Sequence, residues 1–178
     1  MTQMDTHTPG AAVISDGFCL FFHLPALEHV LNQLGQDQKV TLFEPGEGDR
    51  FKAWDIRSKW KQYQNGLKKG RDRRGKLPPH KPLADITPEE YSHYKDRWLT
   101  ADKEQIILYR LQEMLDDAAG EGTFLKAYGQ YLYDHRTQPA TLTIFREYME
   151  RASGLDLRPF FQRWFHTEQQ LPEEWKSF

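Results

Sequence analysis

Two short amphipathic helices joined at a glycine constrain this chain more than any other stretch. Residues 141–172 read TLTIFREYMERASGLDLRPFFQRWFHTEQQLP. Thr141 or Thr143 can cap the first helix, because a hydroxyl oxygen accepts a hydrogen bond from an orphan amide at a helix start. Leu142, Phe145, Tyr148, Met149 and Ala152 then recur at helical spacing and share one face. Gly154 follows the last of them, where a left-handed cap calls for a residue without Cβ. Asp156 can cap the second helix, with Pro159 in its first turn, where a missing N–H costs little. Phe160, Phe161, Trp164 and Phe165 give that helix an aromatic face. Each such ring, fully buried, is worth roughly 1.5–3 kcal/mol. The hairpin is therefore expected to anchor the core.

Helical patterns continue upstream. Residues 124–133 read as one helix, and Ile106, Ile107, Leu111, Met114 and Leu115 mark another, ending near Gly120. Thr87-Pro88-Glu89-Glu90 is a start signal of cap, proline and two acids at the positive helix end, and Tyr91, Tyr94 and Trp98 continue its stripe. Trp175 is expected to bring the tail, residues 173–178, back onto the body.

The hairpin also carries a resemblance. Ala140-Thr141, Phe145, Met149-Glu150, the run from Ala152 through Ser153, Gly154, Leu155 and Asp156 to Leu157, then Phe160-Phe161, Trp164 and Leu171-Pro172 resemble the helical C-terminal end of the catalytic domain of aminopeptidase-N-like zinc peptidases, the gluzincins. Residues 106–115, 122–125 and 128–131 fit more loosely, so the resemblance spans about residues 101–172. It implies shared helical packing. The family binds zinc through His-Glu-x-x-His and a distant glutamate, and no such motif occurs here. Its transition-state tyrosine would fall at Leu99-Thr100-Ala101-Asp102-Lys103, where no tyrosine stands. The resemblance therefore implies no inherited activity.

The N-terminal third reads differently. Residues 1–12 look like a flexible leader. Val13-Ile14, residues 18–22 and residues 40–43 are β-prone, while Leu24, Leu27, Val30, Leu31 and Leu34 form a helical stripe closed by Gly35. A second helical pattern starts near Asp49 and carries Phe51, Trp54, Trp60, Tyr63 and Leu67. Leu77-Pro78-Pro79-His80-Lys81-Pro82 is a semi-rigid linker. The expected organisation is a mainly α chain. A leader (1–12) precedes an N-terminal subdomain (13–76) that is small α+β or helical, a proline-rich linker (77–83) and a bundle-like helical domain (84–178).

Charge is the second organising feature. Net charge is −2, yet residues 51–81 hold eleven Lys or Arg against two Asp. Such asymmetry suggests a localised contact with a polyanion or an acidic partner. Lys52, Arg57, Lys59, Lys61, Lys68, Lys69, Arg71, Arg73, Arg74 and Lys76 supply cations for phosphates, and Trp54, Trp60 and Tyr63 supply flat faces for bases. The competing reading is that the aromatics face the core and the cations form a solvated face answering the acidic remainder. Gly70-Arg71-Asp72-Arg73-Arg74-Gly75 reads as an arm more than as a packed element.

Other chemistry finds little support. Cys19, His23 and His29 match no structural zinc spacing, so no metal is expected. Cys19 lies in Phe18-Cys19-Leu20-Phe21-Phe22, an apolar setting that makes a thiol inert. As the lone cysteine it excludes an intramolecular disulfide, which suits a cytoplasmic protein. Ser15 and Ser153 lack a nucleophile elbow. Gly66-x-x-x-Gly70 lacks the Gly-Lys-Ser/Thr ending of a phosphate loop, and no cofactor is expected. Asp116-Asp117 reads as a solvated helix end or an acidic contact. No run is long enough to span a membrane. The expectation is a non-enzymatic accessory or regulatory factor whose segment 52–81 binds DNA, RNA or an acidic protein surface. The alternative is a protein–protein adaptor, a non-catalytic relative of the zinc aminopeptidases.

Overall fold

A computed structural model describes residues 47–69, 81–86, 97–135 and 141–176. They form five α-helices: α1 (Glu47–Lys69), α2 (Arg97–Ala119), α3 (Thr123–Asp134), α4 (Leu142–Ser153) and α5 (Arg158–Phe165). Two 3-10 turns, Leu83–Asp85 and Glu173–Lys176, complete the order, and no strand occurs among the described residues. The fold is mainly α, as expected. The leader, the strands at 13–14, 18–22 and 40–43, the helix at 24–35 and the start signal at Thr87 lie outside the described residues.

The fold is built around α2, which packs against α1, α3 and α4. Three consecutive residues, Ile106, Ile107 and Leu108, are buried along with Leu111 and Leu115, so the helix is covered from several sides rather than along one stripe. Met114, expected in the stripe, is exposed. A second difference concerns its start. The sequence suggests one helix through Trp98 and another around Ile106, whereas α2 runs unbroken from Arg97 through Ala119. No glycine or proline stands between those ends, so nothing interrupts the hydrogen-bond ladder. The segment that the resemblance places before a helix is thus inside one.

The α2–α3 corner turns on two glycines in the left-handed region, Gly120 (φ 101°) and Gly122 (φ 81°). Asp116 reaches across it, its carboxylate accepting the Phe124 backbone N–H at 3.0 Å. Asp116 is therefore a helix cap, which corrects its reading as a solvated end or contact site. Asp117 is exposed.

The α4–α5 hairpin follows its sequence signals closely. Thr141, not Thr143, caps α4 by accepting the Ile144 N–H at 3.2 Å. Gly154 closes the helix at φ 72°. Two acids then satisfy the start of α5: Glu150 accepts the Leu157 N–H at 2.9 Å and Asp156 accepts the Arg158 N–H at 3.1 Å. Phe145, Met149, Phe161, Trp164 and Phe165 are buried, whereas Ala152 is exposed. The tail docks as expected, with the Trp175 ring 4.5 Å from Trp164 and its carbonyl accepting from Arg110 at 2.9 Å. Leu83, Ala84 and Ile86 join the same core as Trp60 and Tyr63 of α1. The core thus includes residues on both sides of the proline-rich stretch.

Candidate nucleic-acid interface and an adjoining polar seam

The two faces of α1 have different fates. Trp60 and Tyr63 are 7% and 2% exposed, Ile56 is buried, and Leu67 packs partly against the core. Their spacing of four, three and four residues makes one apolar stripe. Arg57, Lys61 and Lys68 are exposed. At 100° per residue those three lie within about 40° of one another, and at 1.5 Å rise they span about 16 Å of helix axis.

The predicted cations and aromatics therefore separate. Arg57, Lys61 and Lys68 come together on the outer face. Trp60 does not join them: its ring packs 6.0 Å from that of Tyr63 in the core, so its face is not open to a base. Lys59 does not join them either. Its amine sits 3.4 Å from the Asp102 carboxylate of α2. The side chains of Lys52, Trp54 and Lys69, and the whole of Arg71, Arg73, Arg74 and Lys76, lie outside what is described.

The Lys59–Asp102 pair opens a feature that sequence reasoning missed. Asp102, Glu104 and Gln105 are all buried, two of them carboxylates with 2% and 1% exposure. Burying charge is costly unless it is paired, so a run of polar residues in the core marks a specialised site more than a stabilising one. Lys103, in the same turn, is half-buried, and burial pulls its amine down to about 8, an effect only partly opposed by the Glu168 carboxylate. One sequence signal for this seam existed. Lys59 lies on the Ile56–Tyr63 side of α1, and a cation on an apolar face calls for an acid partner opposite.

A second polar cluster lies where α3 ends. The Tyr131 hydroxyl is buried with no hydrogen-bond partner among the described residues, and its ring lies 5.3 Å from His135 and 5.5 Å from Tyr148. Burial, and then Tyr148, push the Tyr131 hydroxyl well above the usual phenol value. Tyr148 donates to Asp134 at 2.8 Å, and the Arg151 guanidinium stacks on its ring at 4.2 Å.

Among the described residues no three His, Cys, Asp or Glu side chains gather as a metal site. Cys19, His23 and His29 lie outside them. No described helix is long and apolar enough to cross a membrane. The chain matches no family model, no curated protein and no solved structure, so its function has to be argued from these surfaces alone.

Proposed function

We propose that this chain is a non-enzymatic interaction protein that binds nucleic acid through the outward cationic face of α1. The observation that carries this reading is the alignment of Arg57, Lys61 and Lys68 on an exposed face whose opposite side is committed to the core. A rigidly seated helix holds its cations in register, so less side-chain and backbone entropy is lost on meeting a row of phosphates. With Trp60 and Tyr63 buried, neither can stack on bases. Contact through this face is with backbone phosphates, which makes it salt-dependent and tolerant of sequence.

The test is a salt titration of binding to duplex DNA, duplex RNA and single strands of each, with the parent and with a Lys61→Glu, Lys68→Glu variant. The parent should bind at about 50 mM salt and lose affinity steeply as salt rises. The variant should bind more weakly, with a salt slope smaller by about 2. No binding at low salt, or a variant indistinguishable from the parent, overturns the reading. Binding to an acidic protein but to no nucleic acid would transfer the same face to that partner class.

A further inference from the structure

The outward face of α1 carries more than charge. At 100° per residue, Lys61, Gln64, Asn65 and Lys68 lie within about 100° of one another, and the two amides fall between the two lysines along the axis. Lys61, Asn65 and Lys68 are exposed and Gln64 is half-buried. No acid occurs between Ile56 and Lys69, so this part of α1 sets no negative charge against a phosphate. Neither amide makes a hydrogen bond or ion pair among the described residues. Asn65 is the less expected of the two. Asparagine is a poor residue within a helix, because its amide competes for backbone hydrogen bonds. Here it stands one turn short of the end of α1, exposed and with that amide unused. We propose, resting on the nucleic-acid reading of this face, that α1 enters the major groove of duplex DNA and that Gln64 and Asn65 read adenine there.

The dimensions fit. The major groove of B-DNA is about 12 Å wide, and a helix with its side chains is about 10–12 Å across. Lys61 and Lys68 are seven residues apart, or about 10.5 Å of helix axis. With α1 crossing the groove, each lysine reaches the phosphates of one bordering strand, and the amides between them lie over base edges. A carboxamide offers a donor and an acceptor side by side. Adenine presents its N7 acceptor beside its N6 amino donor in that groove, a complementary pair that no other base shows. Phosphate contact alone ignores sequence, so these amides supply what preference the face has. The A-form duplex of RNA has a deep, narrow major groove that side chains cannot read, which leaves duplex DNA as the fitting partner.

The probes are duplexes of about 20 base pairs, titrated with the full chain at about 50 mM salt and upward. One is alternating d(AT), one is the same duplex with 7-deazaadenine, which lacks the N7 acceptor but pairs normally, and one is alternating r(AU). The parent should bind natural d(AT) about fivefold more tightly than the 7-deaza duplex, and more tightly than r(AU). Both DNA duplexes should show the same salt slope, because no phosphate contact changes between them. A Gln64→Ala, Asn65→Ala variant, whose alanines favour the helix, should no longer tell the two DNA duplexes apart. A parent that binds both DNA duplexes equally, with a steep salt slope, overturns the groove reading and leaves the phosphate contact standing. A variant that still discriminates overturns it too, as does tighter binding to r(AU). So does no binding to any duplex at low salt, and single strands then decide the phosphate reading separately.

Discussion

The Tyr63 hydroxyl accepts a hydrogen bond from the backbone N–H of Leu171 at 3.1 Å, joining points 108 residues apart in the chain. Tyr63 is 2% exposed and Leu171 5%, so water has little access to replace either partner. The bond fixes the segment after α5 against α1. Tyr63→Phe keeps the ring and leaves the Leu171 N–H buried and unsatisfied. The expected cost is about 1–3 kcal/mol in a urea titration. Tyr63→Leu should cost more, because it also removes the ring beside Trp60. A Phe variant as stable as the parent would mean that the segment relaxes and finds water.

Lys59 and Lys61 stand two residues apart on α1 and should respond to the same substitution with very different losses. Lys59→Met removes the cation paired with Asp102, which stays 2% exposed in the core. Removing one member of a buried pair costs about 3 kcal/mol, and replacing both members with apolar residues restores much of that. Lys59→Met with Asp102→Leu should therefore be more stable than Lys59→Met alone. Lys61→Met should change stability by no more than about 0.5 kcal/mol, as at most exposed sites. Guanidinium midpoints of the four chains settle the comparison. Equal losses at Lys59 and Lys61 would deny the pair any structural weight.

That contrast also shows what a sequence can disclose. The hairpin was legible because each of its signals is local: Thr141 before an apolar stripe, Gly154 after it and Pro159 in the next turn all act within a few residues. The basic stretch was legible as charge, but not in its allocation. Separating Arg57, Lys61 and Lys68 from Lys59 and Trp60 required knowing which side of α1 meets α2. The seam was the least legible part. Asp102-Lys103-Glu104-Gln105 has the composition of a solvated helix face, and only its place on a helix covered from several sides buries it. Asp116 misled for a related reason. Its partner, the Phe124 N–H, lies across a corner built on two left-handed glycines, and composition does not reveal such a corner.

The Tyr131 hydroxyl offers a case in which removing a polar group should do no harm. It is buried with no partner among the described residues while the ring makes edge contacts with Phe145 and Tyr148. A buried hydroxyl that finds no hydrogen bond carries an uncompensated desolvation cost. Tyr131→Phe keeps the ring contacts and removes that cost, so stability should hold or rise by about 1 kcal/mol. Tyr148→Phe should instead lose stability, because its hydroxyl donates to Asp134 at 2.8 Å. A Tyr131→Phe chain that loses more than about 1 kcal/mol in thermal unfolding would reveal a bond to this hydroxyl through solvent.

The buried amine and the buried phenols should bend the stability curve in opposite directions with pH. Lys103 titrates at about 8 in the fold against 10.5 in the free side chain, with burial as the main cause. Between those values the unfolded chain binds the proton more tightly, so stability rises with pH across that window. Below about pH 8 the charged amine is a cost that Lys103→Met removes. The variant should be more stable than the parent at pH 7, and the difference should close as pH approaches 10.5. Tyr63 and Tyr131 run the other way: burial lifts both above the ordinary 10.0, so the folded chain keeps protons that the unfolded chain loses. Their stability is complete below pH 10 and is lost as pH climbs beyond it. Urea midpoints of the parent and Lys103→Met from pH 7 to 11 should therefore converge before both fall. A parent curve parallel to the variant's between pH 8 and 10 would show that the amine is solvated.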